Sequence, residues 1–125
     1  MENLKNKTLN NWAGIVYGNA VNKGFHDDNE SVDSFIERAT NNIHDEVCEL
    51  HNAWRNNKLY GLCDKAKKMK ELGIEPLNNI EEECADIIIR SLDMAARLGL
   101  DVEDIVLRKH QYNTTREYRH GGKRS

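Results

Sequence analysis

At residues 45–50 the chain reads DEVCEL, and this stretch places Glu46 and Glu49 three positions apart. On a helix, residues three apart lie on adjoining turns of one face. At ~100° per residue, Glu46 falls inside a continuous arc of apolar residues and Glu49 lies at its margin. The arc consists of Val32, Phe35, Ile36, Ala39, Ile43, Val47, Leu50 and Trp54. A carboxylate placed where a core is expected indicates a compensating partner, because burying an unpaired charge is costly.

A second acidic pair, Glu83 and Asp86, repeats the same spacing later in the chain. If the two helices pack side by side, the four carboxylates can converge on one point. An all-oxygen cluster of this charge suits a hard divalent cation, Mg²⁺ or alternatively Mn²⁺, better than Zn²⁺. The alternative is two ordinary acidic helix faces, with Asp86 paired to Arg90 four residues on. The position of Glu46 within the apolar arc favours the metal.

Apolar periodicity and capping residues predict an all-α chain. We expect helices over about residues 9–23, 32–54, 62–72, 79–98 and 102–119, with Ser31, Asn78 or Asn79, and residues 101–104 at three of the starts. Gly24, Gly73 and Gly99 are the expected stops. Residues 26–29 read as a polar loop. The four longer helices predict a four-helix-bundle-like single domain over residues 1–125, with a frayed basic tail from about residue 120.

Composition narrows the class of protein. Charged residues make up 31% of the chain and there is a single proline, which favours helices over a β-sandwich. The three cysteines have no disulfide spacing, no apolar run is long enough for a membrane span, and the N-terminus is polar. We therefore expect a cytoplasmic protein with no membrane partner.

Charge is distributed unevenly along the chain, whose net charge is −3. Residues 108–125 hold six Lys/Arg and one acid, a net +5, so the remainder carries −8. The acidic remainder argues against a broad nucleic-acid footprint. The basic segment is either a solvated tail or an anion site that forms one polyphosphate pocket with an acidic metal site, and composition alone does not choose between the two.

The last predicted helix carries a polar stripe of Lys109, Asn113 and Arg116, spaced by four and three residues. His120 would extend it if the helix continued. A cation, an amide and a guanidinium in line can bind phosphate, since Arg offers a fork and Lys a point charge. The alternative is a solvated charged face on a terminal helix.

Three motifs occur in order along the chain: EVCE at residues 46–49, ECAD at residues 83–86 and KHQYNTTR at residues 109–116. Together they resemble the ExxE, ExxD and KxxxNxxR motifs of the MazG-like nucleotide pyrophosphohydrolases, members of the all-α NTP pyrophosphatase superfamily. The resemblance covers roughly residues 30–122. The connection at residues 50–82 is long for a compact member and contains the basic run KAKK at residues 65–68, which leaves the choice of substrate open.

The resemblance implies a helical homodimer or homotetramer that cleaves a nucleoside triphosphate between the α- and β-phosphates in a Mg²⁺-dependent reaction. The implied metal ligands are Glu46, Glu49, Glu83 and Asp86, and the implied phosphate-binding residues are Lys109, Asn113 and Arg116. We expect Glu49 to orient or deprotonate the attacking water. On the first helix, Trp12 and Tyr17 are candidate walls for the base. The competing hypothesis is a non-catalytic helical module that binds a nucleotide or a partner protein.

Overall fold

The computed structural model describes residues 4–118, which form five α-helices and no β-strand. In chain order the helices are α1 (Leu9–Asn22), α2 (Val32–Arg55), α3 (Ala66–Glu71), α4 (Asn79–Arg97) and α5 (Val102–Thr114). The prediction of an all-α protein is confirmed. Within the described part, no helix has the length and apolar character needed to cross a membrane. The predicted frayed tail from about residue 120 lies outside the described residues.

Helix starts follow the capping residues of the sequence. The Ser31 hydroxyl accepts a hydrogen bond from the Ser34 N–H at 3.1 Å and so starts α2. At the start of α4, Asn78 accepts from the N–H of Glu81, whose carboxylate accepts from the N–H of Asn78 in return. This reciprocal capping box satisfies two backbone donors that a helix start otherwise leaves unpaired. It fixes the first turn of the helix that carries Glu83.

Four helices end in a residue with left-handed backbone conformation. These residues are Gly24, Asn57, Gly73 and Gly99. After α4, the Gly99 N–H donates to the Ala96 carbonyl at 3.1 Å and the Leu100 N–H donates to the Ala95 carbonyl at 2.9 Å. This is the Schellman arrangement, which needs a positive φ at its first residue after the cap. The three glycine stops are confirmed, and the asparagine stop after α2 is an addition.

We expect Gly99→Ala and Gly14→Ala to change stability in opposite directions. Gly99 has φ +70°, where a Cβ is strained, so alanine should lower the free energy of unfolding by about 1 kcal/mol. Gly14 lies in the interior of α1, where an added methyl group would meet open space, so alanine should raise the free energy of unfolding by about 0.5–1 kcal/mol. Urea unfolding of the two variants checks this, and equal effects at both sites would contradict it.

The last helix is shorter than predicted. Expected to run to about residue 119, α5 ends at Thr114 and leaves Arg116 beyond its C-cap. The hydroxyls of Thr114 and Thr115 donate to the carbonyls of Gln111 and Tyr112 at 2.7 and 2.6 Å. Such local side-chain bonds compete with the helical ladder and favour its end. The stripe of Lys109, Asn113 and Arg116 is therefore not carried by one continuous helix.

Helix α4 occupies the middle of the fold and packs against both α1 and α2, while α5 packs against α1. The core cluster joins α1, α4 and α5 through small and medium side chains: Ala13, Leu92, Ala95 and Val102, with Trp12 and Val16 packed against them. Where α2 packs against the other helices, Phe35 is the largest fully buried side chain, at 1% exposure. The acidic motifs of α2 and α4 therefore face each other across one helix contact.

The apolar arc of α2 is only partly buried, contrary to its predicted role as a core face. Phe35 and Ala39 are buried, but Val32, Val47 and Trp54 are 51%, 47% and 60% exposed. The arc spans more of the helix surface than its single large partner, α4, can cover. Ile88 of α4 is likewise 56% exposed.

Candidate metal centre

Three of the four predicted metal ligands converge between α2 and α4. One carboxylate oxygen from each of Glu46, Glu49 and Glu83 lies within 4.8 Å of the others, the spacing of groups that can share a cation. The i, i+3 spacing brings the two α2 glutamates together, and the α2–α4 contact adds Glu83. Asp86 is outside this group of three but lines the same cavity as Glu46 and Glu49.

Burial makes this cluster unusual. Glu46 is 6% exposed and Glu83 is 8% exposed, while Glu49 is exposed. The Oε2 atoms of Glu46 and Glu83 are buried and have no hydrogen-bond partner among the described residues. A buried carboxylate oxygen without a donor is costly, and a bound cation would remove that cost. The prediction that Glu46 occupies a buried position is confirmed.

Arg90 provides one compensating charge. Its Nε donates to Glu46 Oε1 at 2.8 Å, so the guanidinium reaches from α4 across to α2. The expected alternative, a pairing of Arg90 with Asp86 on the same helix, is not the one formed. Among the described residues, Arg90 is the cation bonded to this group of four carboxylates, and the Lys65 ammonium lies near enough to act on Glu49 and Asp86, so the site as a whole stays acidic.

Repulsion between the carboxylates shifts the pKa values of these groups. Burial, together with hydrogen bonding to Glu46 and the charge of Glu49, raises the pKa of Glu83 to about 8. Burial and the charge of Glu46 also raise the pKa of Glu49 and of Asp86. For Glu46 burial acts upward too, but hydrogen bonds from Arg90 and from Glu83 hold its pKa below the usual value. Without a cation, Glu83 therefore holds its proton more tightly than an isolated carboxyl group does.

Two cavities meet at the cluster. The first, about 500 Å³, lies between α1, α2 and α4 and has Glu46, Glu49 and Asp86 in its wall. The other, about 540 Å³, lies towards the α2–α4 connection and includes Glu49, Glu82 and Glu83. Both volumes are ordinary for small-molecule sites. An elongated ligand bound at the carboxylates could therefore extend into both cavities.

Lys65 is a site residue that the sequence analysis did not single out. It lines both cavities, a property that it shares with Glu49. Its Nζ lies 2.9 Å from Glu82 Oε1 and 3.5 Å from Asp64 Oδ1, and the bond to Glu82 raises the pKa of the ammonium. The signal available beforehand was the basic run in the unusually long connection.

The predicted phosphate-binding residues of α5 are placed elsewhere on the surface. Lys109, Asn113 and Arg116 are exposed and line neither cavity. The Lys109 ammonium and the Arg116 guanidinium instead lie over the Tyr112 ring, at 4.9 and 5.8 Å from its centroid. Their role in phosphate binding stays a prediction.

The predicted base walls, Trp12 and Tyr17, also do not line the first cavity. Trp12 packs against the core cluster, and the Tyr17 ring lies 4.9 Å from that of His26. Their helix contributes Val16, Asn19 and Ala20 to the cavity instead. The assignment of Trp12 and Tyr17 to a base site therefore stays a prediction.

Comparison with known proteins does not place the chain in a family. No family model matches it, and neither the curated proteins nor the solved structures contain a match. The likeness to the MazG-like proteins consequently depends on the three motifs and on the residues they bring together.

Proposed function

We propose that the protein is a Mg²⁺-dependent nucleoside triphosphate pyrophosphohydrolase, with Mn²⁺ as an alternative metal. The observation that carries the proposal is the convergence of Glu46, Glu49 and Glu83 at the junction of two cavities. The order of the three sequence motifs also supports it. The reaction would yield a nucleoside monophosphate and pyrophosphate.

The residues present fit a hard divalent cation. Their donors are all carboxylate oxygens, two of which are buried without a partner, and one guanidinium leaves their charge mostly uncompensated. Glu46, Glu49 and Glu83 would hold the ion, with Asp86 beside them. When bound, Mg²⁺ supplies positive charge to the phosphate oxygens and makes a water more acidic.

We assign the role of general base to Glu49. It is the exposed member of the cluster and lines both cavities, so a water molecule can approach its carboxylate from either side. In the proposed step, Glu49 accepts a proton from water as the water oxygen bonds to the α-phosphorus. The bond from that phosphorus to the bridging oxygen breaks, and pyrophosphate leaves with the electron pair.

The second cavity offers groups for the departing pyrophosphate. Lys58 and Lys65 lie in its wall with the amide of Asn52, and Lys65 is paired there with Asp64 and Glu82. Once a cation offsets the acids of this wall, donors of this kind would stabilise charge that develops on a leaving group. The contribution of Lys109 and Arg116 and the assembly into a homodimer or homotetramer remain separate predictions.

The test is turnover of a panel of nucleoside triphosphates in the presence of Mg²⁺, with the products identified. We expect equimolar nucleoside monophosphate and pyrophosphate, and loss of turnover when EDTA removes the metal. Absence of turnover for every nucleotide would contradict the proposal. Release of inorganic phosphate with nucleoside diphosphate would contradict the proposed site of cleavage.

A non-catalytic helical module that binds a nucleotide or a protein is the second candidate. The exposed apolar side chains of α2 and α4, such as Val47 and Ile88, favour it because they would suit a protein partner. Calorimetry that shows nucleotide binding without any hydrolysis would support this candidate over the enzyme.

A further inference from the structure

The first cavity, between α1, α2 and α4, extends well beyond the carboxylate cluster. On α4, Asp86 and Asp93 both line it and lie seven residues apart, which is two helical turns on one face or about 10 Å along the axis. On α2, Ala39 and Glu46 show the same separation. The cavity is therefore a trench with the acidic cluster at one end and Asp93 at the other, comparable in length with a nucleoside 5′-phosphate.

A buried histidine holds the Asp93 carboxylate in place. His26 Nε2 lies 2.8 Å from Asp93 Oδ1 and 3.0 Å from Oδ2, so this nitrogen carries the ring proton and donates it. The His26 side chain is 6% exposed and lies between the rings of Tyr17 and Phe35. Because one N–H leaves most carboxylate lone pairs unused, Asp93 can still accept further bonds from inside the trench.

The surroundings of Asp93 suit an apolar ligand that carries hydrogen-bond donors of its own. Val16, Ala20, Phe25 and Ile89 give the trench apolar walls. The nearby Arg38 is engaged elsewhere, since its guanidinium makes two bonds to Glu30 at 2.8 and 3.0 Å. A ligand that covers the Asp93 carboxylate without offering N–H groups would leave a desolvated charge unpaired, which is costly.

We propose that Asp93, positioned by His26, makes the trench selective for guanine nucleotides; the placement of their phosphates rests on the function proposed above. Among the common bases, guanine alone presents two adjacent N–H donors, N1–H and the 2-amino group, to a carboxylate. Adenine and cytosine pair one amino donor with an acceptor, and uracil and thymine flank one N–H with carbonyls. Asn19 and Asn42 line the same trench and offer amide donors to the O6 and N7 acceptors.

The first test compares bases in the wild-type protein. Calorimetry with guanosine, adenosine, cytidine and uridine 5′-monophosphates should give at least tenfold tighter binding of the guanine nucleotide. The values of kcat/KM for the four triphosphates should show the same order. Equal affinity for the four bases, or preference for another base, would overturn the proposal.

Asp93→Asn provides the sharper test because it changes the donor pattern at nearly constant shape. It should weaken guanine binding about tenfold to a hundredfold. It should also strengthen binding of xanthosine monophosphate, because an asparagine amide accepts from xanthine N1–H and donates to O2. Asp104→Asn is the matched control, since Asp104 is on α5 and bonds to Arg108 at 2.9 Å outside the trench. Retained guanine preference without a gain for xanthine would overturn the proposal.

The positioning role of His26 needs its own readout. His26→Gln retains an N–H donor and should keep the ratio of guanine to adenine affinity, whereas His26→Phe should reduce that ratio. An equal ratio in both variants would overturn the positioning role. Guanine-selective binding without hydrolysis would support this inference and contradict the proposed enzyme activity. Equal hydrolysis of the four triphosphates would support the enzyme activity and contradict this inference.

Discussion

Replacing Glu49 by glutamine is expected to reduce nucleotide turnover by about a hundredfold or more while the protein stays folded. The amide has nearly the shape of the carboxylate but cannot accept a proton from water. It also supplies a weaker oxygen donor to a cation in a cluster whose carboxylate oxygens lie within 4.8 Å of one another. The measurement is pyrophosphate release under saturating Mg²⁺, with circular dichroism to establish folding.

The same substitution should not destabilise the metal-free protein. Burial and the charge of Glu46 raise the pKa of Glu49, which means that its ionised form is disfavoured in the fold. Glu37→Gln is the matched control, because Glu37 lies on the exposed surface of α2 away from both cavities. Full activity of Glu49→Gln, or an equal loss in Glu37→Gln, would contradict the assignment of Glu49 as the base.

The sequence predicts local features of this fold better than partners across it. Helical phase was enough to predict a buried Glu46, and cap chemistry predicted the start at Ser31 but left the start of α4 open between Asn78 and Asn79, of which Asn78 is the cap. The partner of Arg90 could not be predicted in the same way, because a long side chain can reach either Asp86 on its own helix or Glu46 on the next. That choice depends on how closely α2 and α4 approach.

The residues that line the trench were still harder to predict from the sequence. Residues 26–29 read as a polar loop, yet the ring of His26 is buried between α1 and α2. Nothing in the local pattern distinguishes a solvated loop histidine from one that folds back onto Asp93, sixty-seven residues later. The acids of the candidate centre could be predicted from their spacing. The residues that line the adjoining cavities could not, because distant parts of the chain bring them together only in the folded protein.

Without metal, stability should fall as the pH rises from about 5 to above 8. In the fold the pKa of Glu83 is raised from 4.5 to about 8, so between these values the folded state binds more protons than the unfolded state. Linkage then lowers the free energy of unfolding with increasing pH, and Glu49 and Asp86 act in the same direction. We expect a loss on the order of 2 kcal/mol, since relaxation at the cavity wall reduces the full effect.

Mg²⁺ should reverse this loss, because it requires the ionised carboxylates whose repulsion causes it. Thermal unfolding in EDTA and in millimolar Mg²⁺ should show a larger gain in Tm at pH 8.5 than at pH 5.5. Glu83→Gln removes the group with the most strongly raised pKa in the cluster, so it should flatten the pH profile in EDTA and reduce the gain from Mg²⁺. Glu37→Gln should behave as wild type. Stability that rises with pH in EDTA, or a Mg²⁺ effect of equal size at both pH values, would mean that these carboxylates do not form a cation site.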